Sequence, residues 1–116
     1  MNITLANKQV EIRLSNQAKR ALAQRETPLL AEMELRFACM VRKHVYFRAQ
    51  GQENATQVTT RLAVSFRPVI TRACTVAGVE SSQLMAEVLI DNPTPYVPHW
   101  LAIDYRKGQW LGEFGY

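Results

Sequence analysis

The chain has 116 residues, 47% of them hydrophobic and 21% charged, with a formal net charge of +4. That length predicts one globular domain spanning residues 1–116, and the balance excludes a disordered polar chain. Among the apolar runs, none approaches the ~18 residues that a bilayer-spanning helix needs. The opening "MNITLANKQVEIRL" alternates polar and apolar residues rather than placing a basic start before an apolar block. It is therefore not read as a secretory signal, and a cytoplasmic protein with no membrane partner is expected. In that compartment the two cysteines are expected to stay reduced.

"KQVEIRL" sets Val10, Ile12 and Leu14 on one side at period two, the mark of a half-buried strand. Ser15 follows as a helix N-cap, because its hydroxyl accepts from a free N–H of the first turn. "NQAKRALAQR" is rich in helix formers and brings Ala18, Ala21 and Leu22 onto one face. Pro28 closes this helix on its C-terminal side. From Ala31 the odd positions are Ala31, Met33, Leu35, Phe37, Cys39, Val41, Val45 and Phe47. The even positions are mostly polar, so the pattern predicts one long strand with its odd face inward. Lys43 breaks the apolar set and predicts a bend or bulge there.

"RAQGQENA" is a loop by composition, and "TQVTTRLAVSF" is a second strand with Val58, Thr60, Leu62, Val64 and Phe66 inward. Two such strands predict an antiparallel hairpin. Pro68 ends the second strand or marks an edge, and "VITRACTV" resumes it. "VESSQLMAEVLI" fits a helix capped by Ser81 or a strand with Leu84, Ala86, Val88 and Ile90 inward; its second half favours strand. "DNPTPYVP" is an extended connector. "HWLAIDY", "RKG" and "QWLGEF" read as strand, turn and strand, ordered to the chain end, with Trp100 and Trp110 meeting across the pair. Gly112 and Gly115 leave room for close contact. The sum is an α+β domain dominated by an antiparallel sheet, with one short N-terminal helix.

"EMELRFACMVRKHVYF", "SFRPVITRAC" and "YVPHWLAIDYRKGQWLGEFGY" resemble stretches of a group of small bacterial proteins, and this resemblance implies no particular activity. The early "ITL" strand, the short helix and a strand running into Cys39 are similar to A-type iron–sulfur carriers. That likeness implies cluster ligation by cysteine. The chain departs from the family in lacking a C-terminal Cys-x-Cys and in setting Cys39 within "FACMV" rather than among glycines.

Charge is regional. Between Arg36 and Arg72 lie seven cations and the single acid Glu53, a net +6, whereas the remainder sums to −2. Strand parity gathers Arg36, Arg42, Arg48, Arg61 and Arg67 on one sheet face, together with His44 and Tyr46. Guanidinium forks match phosphate and carboxylate geometry, and an aromatic among cations suits nucleic acid. The ordinary alternative is a solvated sheet face neutralised at one end by Glu32 and Glu34. Cys39, His44, Cys74 and His99 would suffice by number for a zinc site, but no pair has zinc-ligand spacing. Cys74 shares parity with Arg72, which favours its thiolate; Cys39 does not share a face with Arg36 or Arg42. Local hydrolase, P-loop and dinucleotide motifs are missing. The expectation is a non-catalytic interaction module for nucleic acid or another anionic partner, without a cofactor. The competing expectation is a thiol or metal protein using Cys74 and Cys39.

Overall fold

The computed structural model describes residues 1–37, 41–51, 55–71, 87–89 and 92–116. Its unit is the β-hairpin. Strands β1 (Asn2–Leu5) and β2 (Lys8–Leu14) pair antiparallel, as do β8 (Trp100–Arg106) and β9 (Gln109–Gly115). Both turns place two residues in the left-handed region: Ala6 and Asn7 at φ 46° and 68°, Lys107 and Gly108 at φ 52° and 78°. Two such residues match the right-handed twist of the flanking strands. Between these hairpins lie α1 (Asn16–Ala23), β3 (Leu29–Phe37), β4 (Val41–Ala49), β5 (Thr56–Thr59), β6 (Leu62–Thr71), β7 (Glu87–Leu89) and a 3-10 turn (Thr94–Tyr96).

Each of two sheets joins two hairpins through a parallel pair. The first has strand order β1-β2-β8-β9, with β2 parallel to β8. The second has order β4-β3-β6-β5, with β3 parallel to β6 and β7 antiparallel on the far end of β6. Edge strand β9 runs beside β4, and β1 beside β5, so the sheets approach a flattened barrel. Val10, Ile12, Leu101, Ile103 and Phe114 from one sheet meet Ala31, Met33, Leu35, Val45 and Val64 from the other in a single core. Burying each large side chain contributes ~1.5–3 kcal/mol. Helix α1 adds Ala18 and Leu22 to that core. Its predicted cap forms: Ser15 Oγ accepts from the Ala18 N–H at 3.1 Å.

The α+β, strand-dominated class is as expected, with five antiparallel and two parallel pairings among the described residues. Three expectations need correction. Residues 31–48 are not one bent strand but the antiparallel pair β3–β4, with Phe37 opposite Val41, rather than a strand bending at Lys43. In its register Glu34 faces His44 and Arg36 faces Arg42, so even positions meet even positions and the facial parity survives the reversal. Nor is β6 the antiparallel partner of β3. β4 takes one flank of β3, and the Gln50 N–H donates to the Pro28 carbonyl at 2.9 Å as the chain passes the end of β3. β6 therefore starts level with Leu29 and runs parallel. Finally, Trp100 lies opposite Gly115, and Trp110 opposite Tyr105, so the tryptophans do not meet.

Pro68 sits inside β6, between the stretches that pair with β5 and with β7, where the strand lacks a partner on that flank among the described residues. β7 confirms a strand over part of the ambiguous 79–90 run, whereas the possible Ser81 cap falls outside the described residues. The tail is tied down. Phe114 is buried, and the Tyr116 hydroxyl donates to the Tyr96 carbonyl.

Candidate anion-binding face

The outer face of the second sheet carries the even positions of β3 and β4 and the odd positions of β6. Register places their side chains in rows across the three strands. Arg67, Glu34 and His44 form one row; Val69, Arg36 and Arg42 form the next; Ser65, Glu32 and Tyr46 lie on the other side. Neighbouring strands are ~4.8 Å apart, so charges within a row and between adjacent rows reach one another.

Glu34 organises the centre. It is 3% exposed, and its Oε1 accepts from Arg36 Nη2 at 2.7 Å and Arg67 Nη1 at 3.1 Å. A buried carboxylate is costly to desolvate unless paired, and two guanidinium forks supply that pairing. Arg48 Nη2 lies 3.5 Å from Glu32 Oε2, a looser contact at the rim. Arg42 differs. It is exposed, stands directly opposite Arg36, and makes no ion pair among the described residues. Because Arg36 is drawn to Glu34, the two guanidinium groups on opposite strands are not both aimed at the same space. Beside Arg42 on the same face of β4, the His44 and Tyr46 rings contact at 4.3 Å between centroids, tilted by 53°. Tyr46 is 44% exposed.

Of the five arginines expected together, Arg36, Arg42, Arg48 and Arg67 share this face. Arg61 does not join them: its Nη1 lies 3.4 Å from the Ala23 carbonyl at the C-terminal end of α1. A cation there complements the helix dipole. Parity placed Arg61 on the right side of a strand but could not show that the strand begins one residue later, beside the helix. Cys39 and Cys74 lie outside the described residues. Among the described residues no group of three His, Cys, Asp or Glu side chains is placed to hold a metal.

Lys43, the residue that broke the apolar pattern, reaches across the sheet edge. Its Nζ donates to the Phe114 carbonyl at 3.2 Å and stands 5.9 Å from the Phe114 ring centroid. An apolar stem under a polar tip explains a lysine on an inward face. Nothing in the sequence signalled that partner, 71 residues away.

A second concavity, a groove of about 570 Å³, lies on the outside of the first sheet against Arg13, Ser15, Asp104, Arg106 and Leu111. Its charges answer one another. Asp104 accepts from Ser15 Oγ at 2.5 Å, from the Tyr105 N–H at 2.8 Å and from Arg106 Nε at 2.6 Å. These bonds, the Ser15 hydroxyl first, hold its carboxyl below the ordinary aspartate range. Arg13 pairs with Glu11 at 3.0 Å and lies over the Trp100 ring.

Compared with known proteins, the chain matches no family model, no curated protein and no solved structure. No helix is long and apolar enough to cross a membrane among the described residues.

Proposed function

We propose that the chain is a non-catalytic, cytoplasmic binding module that holds a polyanionic partner along the outer face of β4. The observation that carries this reading is Arg42: an exposed guanidinium with no ion pair among the described residues, at one end of the column Arg42, His44, Tyr46, Arg48. Same-face neighbours on a strand are about 6.6 Å apart, so the column presents an extended ribbon about 20 Å long. An arginine without an internal carboxylate is already available to a phosphate or carboxylate fork. Arg36 and Arg67, engaged with Glu34, support the floor of the site rather than its contact surface.

The test is a salt titration of binding to inorganic polyphosphate and to nucleic acid. Binding should weaken steeply with salt, and Arg42→Gln should lower the slope of log K against log salt by about 1, the share of one cation. Failure of both polymers to bind at low salt would end this reading.

A further inference from the structure

The column on β4 is not uniformly charged. Between its two arginines stand His44 and Tyr46, ring against ring, with the tyrosine almost half exposed. A partner read by charge alone gains nothing from that pair. We propose that the polyanion is single-stranded nucleic acid, its backbone running along β4 past Arg42 and Arg48 and an unpaired base stacked on the His44–Tyr46 pair. This rests on the polyanion reading above and names its ligand.

Three features favour a single strand over a duplex. An exposed aromatic pair on a sheet meets a π-face only if the base is unpaired and splayed out; in a duplex the faces are covered by neighbouring bases. The cationic column is one strand wide. Next to it on β3 stand Glu32 and Glu34, at rows where Tyr46 and His44 face them. A duplex set down on this face would reach past β4 onto charges of β3 and β6 that already pair with one another, whereas one strand stays over β4. The column length also suits a short footprint, on the order of four nucleotides, the small end of the range for stacking platforms. A linear acidic polymer without bases would meet the arginines but bring no π-face to the rings.

The experiment uses the full chain and fluorescence anisotropy with a labelled single-stranded pyrimidine oligonucleotide of about twelve nucleotides, long enough for such a footprint. Its own duplex and inorganic polyphosphate serve as competitors. The single strand should bind more tightly than either. Tyr46→Leu should weaken the single strand roughly ten-fold, the loss of one stacked base, and leave polyphosphate unchanged. Tyr46→Trp should restore the single strand. Equal melting temperatures for the variants separate stacking from folding. The proposal is overturned if Tyr46→Leu weakens both ligands alike or neither, or if the duplex binds as tightly as the single strand; the polyanion reading survives either result. Should none of the three ligands bind, the polyanion reading falls and this inference with it.

Discussion

The two outward sheet faces handle charge in opposite ways. On the first sheet the clearest ion pairs are local: Arg13 with Glu11 and Arg106 with Asp104, each two residues apart on one strand. On the second sheet, one buried carboxylate draws in two arginines, from β3 and β6, and leaves Arg42 of β4 outside the arrangement. Local pairing answers each charge of Glu11, Arg13, Asp104 and Arg106 with a neighbour on its own strand. Unequal pairing surrounds one carboxylate with two guanidinium groups and leaves Arg42 on β4 without an ion pair among the described residues. A net charge of +4 thus says less about binding than the identity of the arginine that Glu34 does not hold.

That comparison rests on the framework that keeps the faces apart, so the largest predicted effect removes part of it. Deleting residues 109–116 takes away Phe114, which is 1% exposed, and the Trp110 ring that stacks on Phe47 at 5.9 Å. Phe114 alone contributes ~1.5–3 kcal/mol, a large part of a total of ~5–15 kcal/mol. The truncated chain should unfold or aggregate, as read by circular dichroism and solubility. An unchanged melting temperature would make the tail an appendage.

Gly115→Ala acts on the same framework. A Cβ there would lie 2.5 Å from Trp100 Cζ2, against a ring packed on that strand. The clash should cost ~1–3 kcal/mol in urea unfolding. A neutral result would show that the Trp100 ring has room to move.

Glu34→Gln sharpens the contrast between the faces. It should destabilise by ~1–3 kcal/mol, because two guanidinium groups lose a charged acceptor. It should also tighten polyanion binding, because the face then loses one negative charge in the row next to Arg42. Loss of stability with unchanged binding would limit the contact surface to β4.

The smallest effect belongs to the locally paired face. The Asp104 carboxyl is held below its ordinary value in the folded chain, chiefly by the Ser15 hydroxyl. A lowered folded value means the unfolded chain binds protons more readily, so this group's stabilisation is present above the unfolded value, ~3.9, and is lost as pH falls through the folded one. Wild type should therefore lose more stability than Asp104→Asn as pH is lowered below about 4. Equal acid sensitivity in melting curves would remove Asp104 from the account. Ser15→Ala, which also removes the helix cap, should cost ~1 kcal/mol at neutral pH.

Legibility followed the range of the interaction. The cap at Ser15, the strand "KQVEIRL" and the hairpin around Lys107 and Gly108 are properties of a few consecutive residues, and the chain forms them as written. Facial parity of 31–48 was legible because a pleated strand alternates, and it outlasted a wrong topology because the β3–β4 register pairs even with even. β1 was less legible: its turn places Ala6 in the left-handed region, where alanine gives no signal.

The sequence by itself determined which side chains alternate, where one helix starts and where the chain turns back at its end, because these depend on neighbours within about four residues. Tertiary structure alone decided that β3 and β6 run parallel, that Arg61 serves the end of α1, that Lys43 reaches the Phe114 carbonyl, and that Glu34 holds Arg36 and Arg67 but not Arg42. Each of those depends on which strand occupies which flank. That choice is made by the burial of a shared core from both sheets, and no short window of sequence contains it.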